Sequence, residues 1–250
     1  MKAVRGVCLD IDDTLSTEGK LTADAFAALW KLKKAGFVVV PITGRPAGWC
    51  DHIARFWPVD AVVGENGAFT FFMREGVLRR LETPMQFSRE EARARLTGLE
   101  AKVREEFPEA RWASDQPYRD YDLAIDIRED VKAWSRGDID RLLRLCQDEG
   151  AHAKLSSIHV NAWFGDYDKR KGFLQALNSG ALGDDELDLS RWLYIGDSPN
   201  DEPMFELFPL SVGVANLKPY LDRLKMPPAY LTIRSSGGGF VEMAKRLLAV

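Results

Sequence analysis

The chain has 250 residues, of which 46% are hydrophobic and 29% are charged, and its formal net charge is −4. This length supplies one large domain or two small ones with a substantial buried core. A nucleic-acid partner is not expected, because the sequence has no concentrated run of basic residues. No apolar stretch approaches the ~20 residues that span a bilayer, and the first residues turn acidic too early for a signal peptide. The composition therefore predicts a cytoplasmic enzyme or binding protein without a membrane partner.

The cysteines and histidines do not form a metal-binding or disulfide pattern. Three cysteines stand far apart at positions 8, 50 and 146, and the three histidines at 52, 152 and 159 lack metal-ligand spacing. An odd number of isolated cysteines is typical of free thiols in a reducing compartment. Any metal in this protein is therefore expected to have oxygen ligands.

Six short apolar runs, rich in β-branched residues, predict strands that are buried on both faces of a parallel sheet. The runs are Val4–Leu9, Phe37–Ile42, Val59–Val63, Trp192–Ile195, Leu210–Ala215 and Ala229–Ile233. A helical pattern over Ala23–Ala35 separates the first two runs and ends at Gly36. This alternation predicts the α/β class, with a doubly wound, Rossmann-like parallel sheet.

The middle of the chain follows a different pattern. A hairpin signal at residues 69–82 is followed by a capping box, Ser88-x-x-Glu91, that opens a long charged helix. Two strand-like runs, a second helix near 137–149 and two more strand-like runs complete an α+β block. The sequence thus predicts a core made of residues 1–83 and 166–250, with an inserted cap at 84–165. The Gly237-Gly238-Gly239 run has no P-loop lysine and is interpreted as a flexible turn.

Acidic residues follow the first and fourth predicted core strands. Ligands of open parallel sheets bind at the carboxyl ends of the strands, where Asp10, Asp12, Asp197 and Asp201 would converge. Clustered carboxylates repel one another, and a hard divalent cation such as Mg²⁺ relieves that repulsion. An EF-hand starting at Asp10 is excluded, because its sixth and twelfth positions would be Leu15 and Leu21.

The motifs together resemble the haloacid dehalogenase-like (HAD) phosphohydrolase superfamily. Asp10-x-Asp12-x-Thr14 resembles its motif I, Thr43-Gly44-Arg45 its motif II, Lys171-Gly172 its motif III and Gly196-Asp197-x-x-Asn200-Asp201 its motif IV. Asn66-Gly67-Ala68 and Val214-Ala215-Asn216 are similar to signatures of the Cof-like, type IIB branch, whose mobile cap lies between motifs II and III. Taken alone, Thr43 could cap the following helix and Lys171 could be a solvated surface charge.

This resemblance implies a Mg²⁺-dependent phosphomonoesterase that forms an aspartyl-phosphate. Asp10 would be the nucleophile and Asp12 the general acid and base. An acidic residue at the position of Asp12 resembles the phosphatases and phosphomutases of the superfamily. The Asp10 carboxylate, the Asp12 backbone carbonyl and Asp197 would hold the metal, with Asp201 completing the site directly or through water and Asn200 as a weaker candidate. Thr43, Gly44 and Lys171 would bind the phosphoryl group.

Substrate choice is expected to lie in the cap, and the resemblance points to a small phosphorylated sugar. Asn66 is expected at the binding site, while Arg45 could reach a second anionic group, contact the cap or form a surface ion pair. Asp126, Arg128, His159 and Asn161 are candidates for reading a polyol. A sugar phosphomutase of the same superfamily and a non-catalytic sugar-phosphate-binding protein are the alternatives.

Overall fold

The computed structural model describes residues 4–183 and 188–249. Its strands are β1 (Gly6–Leu9), β2 (Val38–Pro41), β3 (Ala61–Gly64), β4 (Phe69–Arg74), β5 (Val77–Glu82), β6 (Arg111–Trp112), β7 (Asp122–Asp126), β8 (His152–Leu155), β9 (His159–Trp163), β10 (Trp192–Gly196), β11 (Leu210–Gly213) and β12 (Tyr230–Leu231). Its helices are α1 (Ala23–Lys34), α2 (Ala47–Phe56), α3 (Arg89–Glu106), α4 (Arg136–Asp148), α5 (Lys169–Asn178), α6 (Glu202–Leu207) and α7 (Ser236–Leu248). Within the described ranges, each helix is too short or too polar to span a lipid bilayer.

A five-stranded parallel sheet in the order β12-β11-β10-β1-β2 forms the centre of the core. Side chains of successive β1 residues enter different hydrophobic layers: Val7 and Leu9 pack with α1 and α7, whereas Cys8 packs with α5 and α6. Burial on both faces explains why the inner strands β1 and β10 have no alternating polar residues. The edge strand β12 differs, because both of its residues are exposed, and the predicted burial of this run is wrong. The predicted α/β class and doubly wound sheet are confirmed, and all five strands end at the same edge.

The strand β3 joins the parallel sheet to an antiparallel hairpin. A bridge pairs Ile42 with Val63 in parallel, and β3 then pairs antiparallel with β4, which pairs with β5. The turn at Glu75 and Gly76 lies within the predicted hairpin signal, and Arg74 is the last residue of β4.

The cap contains a separate antiparallel sheet in the order β6-β7-β9-β8. One face of this sheet packs on α3 and α4 through an apolar cluster that includes Leu99, Leu142 and Val160. Because side chains alternate along a strand, the opposite face of β7 and β9 carries polar residues: Asp122, Asp126, His159 and Asn161, all buried. The predicted capping box of Ser88 and Glu91 opens α3. The cap boundaries at 84 and 165 stay a prediction.

The three consecutive glycines near the C-terminus lie in the first turn of α7, so their interpretation as a flexible turn is wrong. A methyl group on Gly237 would lie 2.7 Å from the Leu15 carbonyl oxygen, and one on Gly239 would lie 2.5 Å from that of Arg234. Glycine is therefore required for close packing of this helix against the loop after β1.

Gly172 fixes the position of α5 over the short turn at residues 65–67. A Cβ atom on Gly172 would lie 2.6 Å from the Gly67 Cα and 2.8 Å from the Val63 side chain. We expect Gly172→Ala to lower the free energy of unfolding by about 1–3 kcal/mol, because the displaced contact atom is backbone. Chemical denaturation measures this change.

Gly98, in the middle of α3, is the matched control. Its added Cβ would meet nothing within 4 Å, so Gly98→Ala should raise the free energy of unfolding by about 0.5–1 kcal/mol through helix propensity alone. Equal effects at the two sites would contradict the proposed packing at Gly172.

Candidate active site

Three buried carboxylates meet at the carboxyl edge of the parallel sheet. Asp10 follows β1, and Asp197 and Asp201 follow the neighbouring strand β10. One carboxylate oxygen from each lies within 4.8 Å of the others. The sheet order therefore brings together three of the four acids that the sequence predicts there.

Burial and mutual repulsion disfavour the charged forms of these acids. Burial raises the pKa of Asp10 to about 7, with Lys169 opposing the shift and Asp201 and Asp12 adding to it. Burial, Asp10 and Asp201 raise the pKa of Asp197 well above its usual value. A bound divalent cation would favour the ionised forms, and oxygen donors suit Mg²⁺. The donor set therefore fits the predicted metal.

Asp201 organises the loop after β10. One of its oxygens accepts hydrogen bonds from Lys169 Nζ at 2.6 Å and from Tyr194 Oη at 2.5 Å. The other accepts from the backbone N–H groups of Asp197 at 2.9 Å and Ser198 at 3.1 Å. Protein donors thus use both oxygens of Asp201, whereas within the described ranges the Asp197 carboxylate accepts only from Thr14 at 3.0 Å and Asn216 at 3.4 Å. Asn200 bonds to Asn66 and Ser198.

The structure places Lys169, and not the predicted Lys171, among the acids. Lys169 Nζ donates to Asp10 at 2.8 Å and to Asp201 at 2.6 Å, and its side chain is 1% exposed. Lys171 lies on the exposed side of α5, where its Nζ pairs with Asp166 at 2.6 Å. The structure therefore contradicts the predicted position of Lys171 in the site, because Lys169 is the lysine that lies among the acids.

The helical period carries a signal for this lysine. Residues 169, 172, 173, 176 and 177 form the buried face of α5, and their spacing is that of one helix face. Lys171 is two residues from Lys169, which places it on another side of the helix. The motif selects Lys171 because it is adjacent to Gly172 in the sequence, and this adjacency does not indicate which lysine lies on the buried face of α5.

The predicted phosphate-binding residues Thr43, Gly44 and Asn66 lie next to one another. Thr43 Oγ1 accepts from the Arg45 backbone N–H at 3.0 Å, so it does not cap α2, which begins after Pro46. Its carbonyl oxygen accepts from Asn66 N–H at 3.0 Å. Asn66 has a positive φ of 55°, and its buried Nδ2 has no hydrogen-bond partner among the described residues. Strained backbone and a free buried donor are typical of a ligand site.

Arg45 links Asp12 to the cap. Its Nε lies 2.9 Å from Asp12 Oδ2 and its Nη2 lies 2.7 Å from Asp12 Oδ1. The same side chain contacts two cap carboxylates, Asp115 at 3.1 Å and Glu129 at 2.7 Å. Burial opposes the charged form, but Asp12 and Glu129 raise the pKa of Arg45. Of the three roles predicted for Arg45, the structure shows the cap contact.

Two further charged residues join the cap to the core, and no sequence motif predicted them. Glu65 accepts from the backbone N–H groups of Ala47 at 3.1 Å and of the cap residues Asp120 at 2.9 Å and Tyr121 at 2.5 Å. Burial and Asp122 raise the pKa of Glu65 to about 8, with Arg119 opposing the shift.

The second residue is Arg119. It donates to the Gly44 carbonyl at 2.8 Å and pairs with Asp115 and Asp122. These contacts of Glu65 and Arg119 between the cap and the core depend on tertiary packing that local sequence patterns do not encode.

Asp126, predicted to read a polyol, instead holds a turn of the cap. Its Oδ1 accepts from the backbone N–H groups of Arg128 at 2.9 Å and Glu129 at 2.7 Å, and its Oδ2 from that of Asp130 at 2.8 Å. These bonds occupy the carboxylate and fix the direction of Glu129.

Comparisons with known proteins agree with this architecture. Residues 7–89 match the family of haloacid dehalogenase-like hydrolases. The chain is similar in structure to a protein from Thermoplasma acidophilum, with 20% identity, 99% and 100% coverage of the two chains and a TM-score of 0.73. It is also similar to a phosphatase of the HAD superfamily from Bacteroides thetaiotaomicron, with 17% identity, 99% and 96% coverage and a TM-score of 0.65.

A third similar structure is that of a HAD subclass IIB sugar phosphatase, with 13% identity, 99% and 100% coverage and a TM-score of 0.68. None of the curated proteins matches the chain. The family match, together with the shared fold, confirms the resemblance that the motifs predict.

The buried position of Lys169 makes it sensitive to substitution. We expect Lys169→Met to lower the free energy of unfolding by about 3 kcal/mol in the absence of divalent cations, because Asp10 and Asp201 lose their buried cation. Urea denaturation in EDTA measures this loss. Lys171→Met is the matched control, and it should leave the unfolding midpoint unchanged because its pair is exposed. A larger loss for Lys171→Met would contradict the placement of Lys169.

Proposed function

We propose that this chain, whose residues 7–89 match the haloacid dehalogenase-like hydrolases, is a Mg²⁺-dependent phosphomonoesterase acting on a small sugar phosphate. The observation that carries the proposal is the buried group of Asp10, Asp197, Asp201 and Lys169 beside the Thr43–Gly44 loop. A nucleophilic carboxylate, a metal-binding carboxylate and a buried cation are the components that phosphoryl transfer needs.

The first half of the reaction would transfer the phosphoryl group to Asp10. A carboxylate oxygen of Asp10 attacks phosphorus, a bond forms between them, and the bond from phosphorus to the leaving alcohol oxygen breaks. Asp12, in its protonated form, gives its proton to that oxygen. Thr43 Oγ1, the Gly44 N–H and Lys169 would stabilise the equatorial oxygens, whose negative charge is largest in the transition state.

The second half would release phosphate and restore the enzyme. Asp12, now a carboxylate, takes a proton from a water molecule as its oxygen attacks phosphorus, and the bond from phosphorus to Asp10 breaks. Arg45 holds Asp12 through hydrogen bonds of 2.7–3.0 Å. These hydrogen bonds keep the Asp12 carboxylate oriented for the proton transfer from water in this half of the reaction.

The Asp10 carboxylate, the Asp12 backbone carbonyl and Asp197 would hold the magnesium ion. When bound, the ion would neutralise charge on the phosphoryl group and on the carboxylates around it. Asp201 would orient the loop that carries Asp197, since its own oxygens accept four protein donors. In this proposal, the predicted role of Asp201 in completing the metal site, directly or through water, becomes that of positioning Asp197.

Two observations support a sugar as the leaving group. The face of the cap sheet that carries His159 and Asn161 is polar and buried, and polar groups of this kind recognise hydroxyls. A sugar phosphatase is among the proteins of similar fold. A cytoplasmic location belongs to the same proposal, since the three cysteines are free and buried.

The proposal predicts phosphate release from sugar phosphates that requires Mg²⁺ and Asp10. Asp10→Asn should lower the rate by roughly a thousandfold or more, because the amide is a poor nucleophile. The measurement is phosphate release from a panel of phosphorylated metabolites, with Mg²⁺ or with EDTA. Asp166→Asn, which alters an exposed acid of the core, is the control and should keep full activity. Release only after addition of a sugar bisphosphate would instead identify a phosphomutase.

The metal site predicts a change in stability that is independent of activity. Mg²⁺ that binds only the folded protein raises the free energy of unfolding, by about 2.7 kcal/mol at a concentration 100 times its dissociation constant. Thermal denaturation in Mg²⁺ and in EDTA should therefore show a higher midpoint with Mg²⁺ for the unsubstituted protein. Asp197→Asn should lose most of this increase and Asp166→Asn should retain it. An increase that survives in Asp197→Asn would place the metal elsewhere.

A further inference from the structure

The leaving-group side of the site carries more carboxylates than cations. Lys169 pairs with Asp10 and Asp201. Arg45 contacts three carboxylates, those of Asp12, Asp115 and Glu129. Arg119 pairs with Asp115 and Asp122. Each of these three cations is therefore paired with at least two carboxyl groups, and Asp115 is shared by the two arginines.

Glu129 lies close to Asp12, the proposed proton donor to the leaving oxygen. Asp12 has to reach that oxygen to protonate it. One nitrogen of Arg45, Nη2, bridges Asp12 Oδ1 and Glu129 Oε1 at 2.7 Å each, so two hydrogen bonds separate the two carboxylates. Substituents of the leaving alcohol therefore enter the field of Glu129.

The fold holds Glu129 rigidly in this position. The turn at residues 127–130 is fixed by three backbone hydrogen bonds to Asp126. The other Glu129 oxygen, Oε2, lies 2.8 Å from His159 Nε2. Burial acts in the opposite direction, but the His159 hydrogen bond and Arg45 lower the pKa of Glu129 to about 2. The negative charge of Glu129 is thus a fixed feature of the cap at neutral pH.

Arg128, the neighbour of Glu129, does not offset the excess of carboxylates over cations on this side of the site. It is exposed, and its charge lowers the pKa of Asp13, which burial raises. The charge of Arg128 therefore acts on Asp13, in the loop after β1.

We propose that Glu129 makes this site selective for phosphate esters of uncharged alcohols, and that esters with a second anionic group on the leaving alcohol are poor substrates. The inference deepens the proposed function and rests on it. Repulsion between like charges a few ångströms apart in a partly buried site is strong enough to give about a tenfold preference or more.

Pairs of substrates that differ only in charge test the inference. Sorbitol 6-phosphate has a terminal alcohol where 6-phosphogluconate, with the same carbon skeleton, has a carboxylate. Glycerol 1-phosphate and 3-phosphoglycerate differ in the same way. We expect kcat/KM for the neutral member to exceed that for the anionic member by about tenfold or more. The preference should decrease as ionic strength rises, because salt screens charge repulsion.

Glu129→Gln should lower this preference by about tenfold, mainly by improving the anionic member, because the negative charge of Glu129 that repels it is removed. Glu105→Gln, which removes an exposed charge from α3 of the cap, should leave the preference unchanged. A purely structural role of Glu129 would lower kcat/KM for both members equally, and that outcome would overturn the inference.

Failure of the inference is distinguishable from failure of the proposed function. Phosphate release from both members at equal rates, or faster from the anionic one, overturns the selectivity and leaves the phosphatase in place. Absence of release from every phosphate ester, with Mg²⁺ present, overturns the proposed function and the inference with it.

Discussion

The buried ammonium of Lys169 between Asp10 and Asp201 is the interaction on which the site depends. Two acids at the ends of neighbouring strands, both inaccessible to water, would repel each other strongly if both were ionised. Burial disfavours the charged lysine, but Asp10 and Asp201 raise the pKa of Lys169, so it remains a cation. Lys169 thereby holds the proposed nucleophile and the loop after β10 in one hydrogen-bonded group.

The packing of α5 places that ammonium. Phe173 and Ala176, on the same face of the helix, pack into the core beneath the sheet, and Gly172 allows the helix to approach the Gly67 backbone closely. The hydrophobic core therefore determines the depth at which Lys169 enters the acidic cluster. Stability and site geometry have a common origin in this helix.

Sequence patterns predict the core well because its determinants are local. Apolar runs give the buried strands, and the residues after Leu9 and Ile195 give the acids that the sheet order then brings together. The choice of Lys171 over Lys169 failed because adjacency to Gly172 outweighed the period of the helix. The joints made by Glu65 and Arg119 involve partners up to 75 residues apart, and no short motif records such distances. The prediction for Asp126 is wrong for a different reason, since its three backbone partners lie only two to four residues away and an aspartate that holds a local turn has no free carboxylate oxygen for a polyol.

Arg45 connects the cap to Asp12. Its Nε and Nη2 hold Asp12, the proposed proton donor, while Nη1 contacts Asp115 and Nη2 also contacts Glu129 of the cap. A cap that moves away would remove both cap carboxylates from Arg45 and leave Asp12 with a more mobile partner. Closure over the substrate would then complete the environment of the acid at the moment when it is needed. Contacts that the leaving group makes with the cap can in this way lower the barrier to phosphoryl transfer as well as strengthen binding.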